Sequence, residues 1–302
     1  MSSLGQMKNI LASLRGLPAR LDQIQKAIGR IEIEQKRARG GDSLEAHEVK
    51  VFSQWGEDGI LQFLLSRIEV PNRIFVEFGV ENYLESNTRF LLETDNWSGL
   101  VIDGSPEHVA FIKAQPFYWR HNLKVDCAFI DAENINELLR RNGVSGDIGL
   151  LSVDIDGNDY WVLNAIDVVK PRILVCEYNS LFGSTRKVSV PYDPRFTRQA
   201  AHHSNLYYGA SIAALAHLAG QKGYSLVGSN STGSNAFFVR KELVGDLKVL
   251  TPEQAYRPAQ FRESRDPEGR LTFLGREMAR KEVGNLLVVD VETGSQMRLA
   301  EL

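Results

Sequence analysis

Along the first thirty residues, apolar side chains fall at Met7, Ile10, Leu14, Leu17, Leu21, Ile24, Ile28 and Ile31, alternately three and four apart. That spacing is a heptad seam and predicts a coiled-coil helix. Placing Met7, Leu14, Leu21 and Ile28 at a puts Ile10, Leu17, Ile24 and Ile31 at d, a leucine-rich a with isoleucine-rich d that favours three or four strands over two. Residues 7–31 are therefore expected to assemble the chain into a homo-oligomer, a trimer or tetramer. The same stripe would also suit a helix packed on the protein's own core, or one lying on a membrane surface. An interior proline costs a helix ~3 kcal/mol, so Gly16-Leu17-Pro18 is expected to mark a kink or the start of a second helix. Lys36, Arg37, Arg39, Gly40 and Gly41 read as a flexible basic linker, closing an arm of residues 1–40.

Beyond the arm the period changes. Ile60, Leu61, Phe63, Leu64, Leu65 and Ile68 form the buried face of a helix, with Ser53 as its candidate N-cap. Ile74 to Phe78 and Gly99 to Ile102 are short, nearly continuous apolar runs, as a parallel sheet covered on both faces requires. Strands at 125–130, 148–153 and 171–176 follow, alternating with helices at 135–141, 161–166 and 212–219. Tyr224–Gly228 and Ala236–Val239 flank a Ser-Asn-Ser-Thr-Gly turn and read as an antiparallel hairpin. Residues 41–245 are thus expected to form one α/β domain, a Rossmann-like doubly wound sheet closed by that hairpin. In the tail, 246–302, a charged irregular stretch around Arg257 to Arg270 precedes a second hairpin over Asn285–Leu299, turning at Glu292-Thr-Gly-Ser. That hairpin would extend the sheet, cover a pocket or serve an oligomer contact.

An apolar fraction of 43% and a charged fraction of 24% are those of an ordinary globular protein. The net charge of −3 gives no broad basic surface for nucleic acid. There is no apolar leader and no run near the ~20 apolar residues of a membrane span, so a cytoplasmic location is expected. Cys127 and Cys176 lie in apolar runs and read as buried strand residues in a reducing compartment.

The candidate chemistry sits at the strand tips. Ligands of such sheets lie beyond the carboxyl ends of the strands, so Glu77 and Asp103 should face one crevice. Asp103 is placed to accept both hydroxyls of a ribose. Gly79 is followed by polar side chains rather than by G-x-G-x-x-G, so no bare backbone is offered to a pyrophosphate. A dinucleotide is disfavoured, and S-adenosylmethionine is left as the adenosine ligand. Its expected contacts are Gln54, Glu77, Gly79, Asn82, Asp103, Gly104, Ser105, Asp131 and Asp154, with Glu77 near the cationic methionine end and Asp131 on the adenine amino group. Each of these residue types also serves as a cap or turn former.

Asp154 and Asp156 end one predicted strand, and Glu177 and Asn179 end its neighbour. Their oxygens suit Mg²⁺, Mn²⁺ or Ca²⁺; the competing role puts Asp154 on the methionine amino group and Glu177 against the acceptor. His202 and His203 are the candidate general bases, because histidine titrates near neutrality, and Asp154 joins them in the catalytic set. Tyr207 and Tyr208 would stack on a sugar or aromatic acceptor. His108, His121 and His217 have no comparable neighbours and are given no role.

From Leu151 to Ala165 the chain reads LSVDIDGNDYWVLNA and resembles the FkbM-type S-adenosylmethionine-dependent methyltransferases. Ser53-Gln-x-Gly-Glu-Asp58, Val76-Glu-Phe-Gly79 and Val101-Ile-Asp-Gly-Ser105 resemble further blocks of that group in the expected order. The resemblance covers roughly residues 50 to 240, and implies a class I methyltransferase fold and methyl transfer to a hydroxyl of a sugar or natural product. It leaves the acceptor, and oxygen against nitrogen, open. Macrocin-type and catechol-type O-methyltransferases similarly place an acid after the fourth strand and an acid-polar pair after the fifth. The departure is Asn158-Asp159, which makes the turn more acidic than the group's usual pattern. The rivals are a methyltransferase-like assembly module without activity, acting through its coiled coil, and a nucleotide-sugar or NAD enzyme with a degenerate fold.

Overall fold

In the computed structural model the backbone is described for residues 3–302, and the side chains for residue 14 and from 16 onward. Met7 and Ile10 of the heptad seam therefore lie outside the described side chains. In chain order the strands are β1 (Ile74–Phe78), β2 (Ser98–Asp103), β3 (Leu123–Cys127), β4 (Gly146–Val153), β5 (Val169–Glu177), β6 (Val188–Ser189), β7 (Tyr224–Ser229), β8 (Asn235–Arg240), β9 (Leu287–Asp290) and β10 (Gln296–Arg298). The helices are α1 (Ser3–Arg39), α2 (Glu57–Arg67), α3 (Arg89–Asp95), α4 (Pro106–Ala114), α5 (Pro116–Arg120), α6 (Ile135–Arg141), α7 (Asp159–Ala165), α8 (Arg198–Ala201), α9 (Ile212–Gln221), α10 (Pro252–Ala255) and α11 (Arg276–Val283).

Seven strands make the main sheet in the order β3-β2-β1-β4-β5-β8-β7. The pairs among β1 to β5 are parallel, while β8 runs antiparallel to both β5 and β7. This is the expected doubly wound α/β plan with its closing hairpin. Alternation along each strand divides the core in two. Val76, Phe78, Leu151, Val153 and Leu174 face a layer that includes Leu139, Val162, Leu163 and Leu215 of α6, α7 and α9. Phe75, Leu150, Ile173 and Val175 face Ile60, Leu64, Leu91 and Leu92 of α2 and α3. Strand order reverses between β1 and β4, and a crevice at their carboxyl ends follows from that switch.

Cys176 is buried as expected, but Cys127 is exposed. It ends β3, the edge strand, which stops there rather than at Ile130. The tail does not extend the main sheet. β9 pairs with β10 and with β6 in a separate three-stranded sheet. A third core of Phe182, Val188, Tyr207, Ala279, Val283, Val288 and Leu299 fastens it to the domain.

The arm departs from expectation in two ways. α1 is continuous across Pro18, with no second helix beginning there. Lys36, Arg37 and Arg39 also belong to its last turn, where cations complement the helix dipole. Only Gly40 and Gly41, with φ of 71° and 134°, break it. The helix seats on the domain through Gly29, where any Cβ would overlap Val51, and through Ile33, buried with Val49, Val51, Phe52 and Phe90. Lys26 binds Glu93 at 2.7 Å and Arg30 donates to the Thr94 carbonyl at 3.1 Å. The described seam residues, Leu14, Leu17, Leu21, Ile24, Ile28 and Ile31, remain 46% to 58% exposed, so it is not this stripe that packs on the protein's own core. Among the described residues no helix is long and apolar enough to cross a membrane.

Candidate active site

The tips of β1 and β4 meet at Gly79. Its φ is +67°, and a Cβ there would overlap the Asp154 carbonyl oxygen, so only glycine permits the approach. A cavity opens on each side of this contact, one of about 700 Å³ and one of about 170 Å³. Gly79, Glu81, Asp154 and Asp156 border both.

The smaller cavity is lined by Asp103 and Gly104 from the β2 tip and by Ala128, Phe129 and Ile130 after β3. The Asp103 carboxylate accepts the Glu81 and Ser105 N–H groups, each at 2.8 Å, and lies 3.2 Å from Nδ1 of His108. His108, given no role from sequence, thus sits beside the predicted ribose carboxylate; one helical turn from Ser105 was the signal for it. Ser105 itself is the N-cap of α4, with Oγ accepting the His108 N–H, and lies outside the cavity. Asp131 is also outside. Its Oδ1 accepts the Glu133 and Asn134 N–H groups at the start of α6. Because β3 ends at Cys127, residues 128–130 reach the cavity and Asp131 falls beyond it.

Asn82 does not reach either cavity. Glu81 and Tyr83 both take positive φ, at 47° and 62°, which turns the loop over and buries Tyr83 against Thr88. Asn82 is left to close a local turn on the Leu84 N–H at 3.0 Å. Asn87 borders the larger cavity instead and donates to Ser152 Oγ at 3.0 Å. Glu77 lines that cavity too, but its oxygens hold this loop, accepting the Asn87 N–H, the Thr88 N–H and the Thr88 hydroxyl. Burial pushes its carboxyl up to about 7 against those hydrogen bonds.

Gln54 borders the larger cavity beside Trp55. The segment is fixed from below by Asp58, whose Oδ2 accepts the N–H groups of Val51, Phe52 and Ser53 at 2.7–2.8 Å. Burial raises the Asp58 carboxyl to about 6 in spite of these bonds. The N-cap of α2 is Gly56, not Ser53, which hydrogen-bonds Asp58 with its hydroxyl.

Asp154, Asp156 and Glu177 converge, each with an oxygen within 4.8 Å of the others'. Burial raises Asp154 well above the ordinary carboxyl range, and the charges of Asp156 and Asp159 add to it. Glu177 is raised by burial and then by Asp154 and Asp156, and among the described residues its buried Oε2 has no hydrogen-bond partner. The counter-cation is Arg198, unforeseen from sequence, whose Nη1 meets Asp156 Oδ1 at 2.8 Å. Its guanidinium lies 4.1 Å over the Tyr208 ring. Burial works against its charge, but Tyr208, Asp156 and Glu177 outweigh it and raise the pKa.

Asn179 is not part of this cluster. It is buried with both ends used, Nδ2 donating to the Leu206 and Tyr208 carbonyls at 3.0 Å and Oδ1 accepting the Leu181 N–H. Asp159 adds no carboxylate to the cavity wall. It turns inward to accept the Ile155 and Gly157 N–H groups at 2.8 and 2.9 Å, and burial lifts it to about 6.

Of the histidines, His203 borders the larger cavity and His202 does not. His202 Nδ1 is 2.7 Å from Ser204 Oγ, and burial, then the neighbouring His203, lowers its pKa. Tyr208 lines the cavity, whereas Tyr207 is buried in the tail core with its hydroxyl on the Leu287 carbonyl. The far wall comes from the tail, through Phe261, Glu263, Arg265 and Asp266. Nothing in the spacing of that charged stretch marked it as cavity wall.

No protein-family model and no curated relative matches the sequence. Solved structures to which the chain is similar include the N-terminal domain of EvdMO1 with SAH bound, at 11% identity and a TM-score of 0.39 over 61% of this chain and 79% of that one. Another is the O-methyltransferase from Bacillus cereus in complex with SAH, at 14% identity and 0.36 over 69% and 87%. PKMT2 from Rickettsia typhi in complex with AdoHcy gives 9% and 0.41 over 63% and 54%, so the chain spans about half of that protein. At these scores the fold rests on the strand order itself.

Proposed function

We propose that the chain is an S-adenosylmethionine-dependent methyltransferase acting on a hydroxyl of a sugar or natural-product acceptor. The observation that carries this is the pair of cavities sharing one border at Gly79, Glu81, Asp154 and Asp156. The smaller fits the nucleoside: Asp103 offers a carboxylate to a ribose diol, Gly104 leaves room, and Phe129 presents a ring to adenine. The acidic border suits a sulfonium and an ammonium group. When bound, the cofactor supplies an electrophilic methyl group at that border.

Displacement at a methyl group needs an aligned acceptor and a proton acceptor. The Asp154–Glu177 pair has a raised proton affinity and lines the larger cavity, with Asp154 at the border, whereas His203 lines that cavity farther along the chain and His202 lies outside it. Arg198 fixes Asp156 and covers one face of Tyr208, and Trp55 and Phe261 line the cavity where a sugar would stack. The four sequence blocks that resemble FkbM-type enzymes all contribute to this one region, which supports that narrower assignment. A second reading is favoured by the unpartnered Glu177 Oε2: Asp154, Asp156 and Glu177 would hold Mg²⁺ or Mn²⁺, the ion lowering the acceptor hydroxyl's pKa. The exposed α1 stripe supports a trimer or tetramer through residues 7–31, and an inactive assembly module would share that surface.

The test is incubation with methyl-labelled cofactor and a panel of sugars and glycosides. Labelled product is expected from the intact chain, with turnover reduced on the order of 10²-fold or more in Glu177→Gln. Cofactor binding without product on any acceptor, nitrogenous ones included, would return the assembly module to first place.

A further inference from the structure

We propose that His202, His203 and Glu282 form a site for a zinc-class divalent cation that clasps the tail to the loop bordering the larger cavity. Each side chain offers one donor atom, and the three atoms lie within 4.8 Å of one another. The ligands come from two places, the loop after α8 and helix α11, and His203 Nε2 already lies 3.1 Å from Glu282 Oε1. Ligands about 2.1 Å from a tetrahedral zinc sit roughly 3.4 Å apart, so the His203–Glu282 pair is already near ligand spacing and the widest pair closes by at most about 1.4 Å.

Two imidazoles and a carboxylate are the set zinc accepts when one position stays open, whereas the all-oxygen set of Asp154, Asp156 and Glu177 suits Mg²⁺. Ser204 supplies the outer contact that fixes a ligand ring, with its Oγ 2.7 Å from His202 Nδ1 and its N–H donating to the same nitrogen at 3.3 Å; ligation through Nε2 requires the Nδ1 proton to point at Oγ. The two rings lie beside each other, tilted by 35° with centroids 4.2 Å apart, so ligation of one ion by both requires a side-chain rotation. The tail is already on this loop, with the Arg265 N–H donating to the Ser204 carbonyl at 3.2 Å. His203 also borders the larger cavity, so the open coordination position would face it. The site stands whether or not the cavities transfer methyl groups.

The experiment is calorimetric titration of zinc chloride into the full, metal-stripped chain. One saturable site of micromolar or tighter Kd is expected, at least tenfold weaker in Glu282→Gln and in His203→Ala and unchanged in Asp156→Asn. Zinc should also slow amide exchange across residues 276–283. Circular dichroism confirms folding, and His202→Ala serves in place of either variant that does not fold. Absence of saturable binding, unchanged binding in Glu282→Gln, or loss in Asp156→Asn alone would overturn the proposal.

Discussion

At the scale of single residues, the site depends on carboxylates whose surroundings decide between scaffolding and ligand contact. Asp103 ties Glu81 and Ser105 while it borders the smaller cavity. Hydrogen bonds to a charged group contribute about 1.5–3 kcal/mol, so Asp103→Ala should weaken S-adenosylhomocysteine binding about tenfold to hundredfold. Unchanged affinity in a folded variant would remove the ribose from this position. Asp154 and Glu177 bind protons more tightly in the folded chain than in the unfolded one. Their contribution to stability is therefore full below the ordinary carboxyl range and lost as pH rises through the raised values. Melting temperature should fall with rising pH more steeply in the native chain than in Glu177→Gln. Parallel curves would show that the pair is not buried as described. Glu77, Gly79 and Asp103 were legible in the sequence because each ends an apolar run. Asn82 and Asp131 were misplaced by one turn of loop, the first by the two positive-φ residues flanking it and the second by an early end to β3. Arg198 was invisible, since its role arises only when the chain returns to the tip of β4.

At the scale of elements, the strands and their order could be read because parallel strands covered on both faces leave continuous apolar runs. The arm was half legible. Its apolar stripe from Leu14 to Ile31 is exposed along one face, but the face that seats on the domain is set by Gly29 and Ile33, which no periodicity distinguishes. The two faces predict opposite outcomes. If residues 7–31 assemble the chain as proposed, Ile28→Glu should lower the mass seen in light scattering while leaving thermal stability nearly unchanged. Ile33→Ala should instead cost about 2–4 kcal/mol by leaving a cavity against Val51 and Phe90. A monomeric native chain would refute the assembly role of the arm.

At the scale of the molecule, the tail completes the domain. Its hairpin pairs with β6 rather than the main sheet, and its preceding segment walls the larger cavity with Phe261 and Arg265. The sequence left that choice open because irregular charged segments carry no period. The sheet switch point, the glycine contact and the two adjoining cavities all meet at the carboxyl ends of β1 and β4. The most direct measurement is calorimetric titration of S-adenosylhomocysteine into the full chain, with and without Mg²⁺. Micromolar, one-to-one binding is predicted in both conditions, with a metal-dependent change only if Asp154, Asp156 and Glu177 hold the ion. No binding in either condition would contradict the assignment of the cavities to cofactor and acceptor.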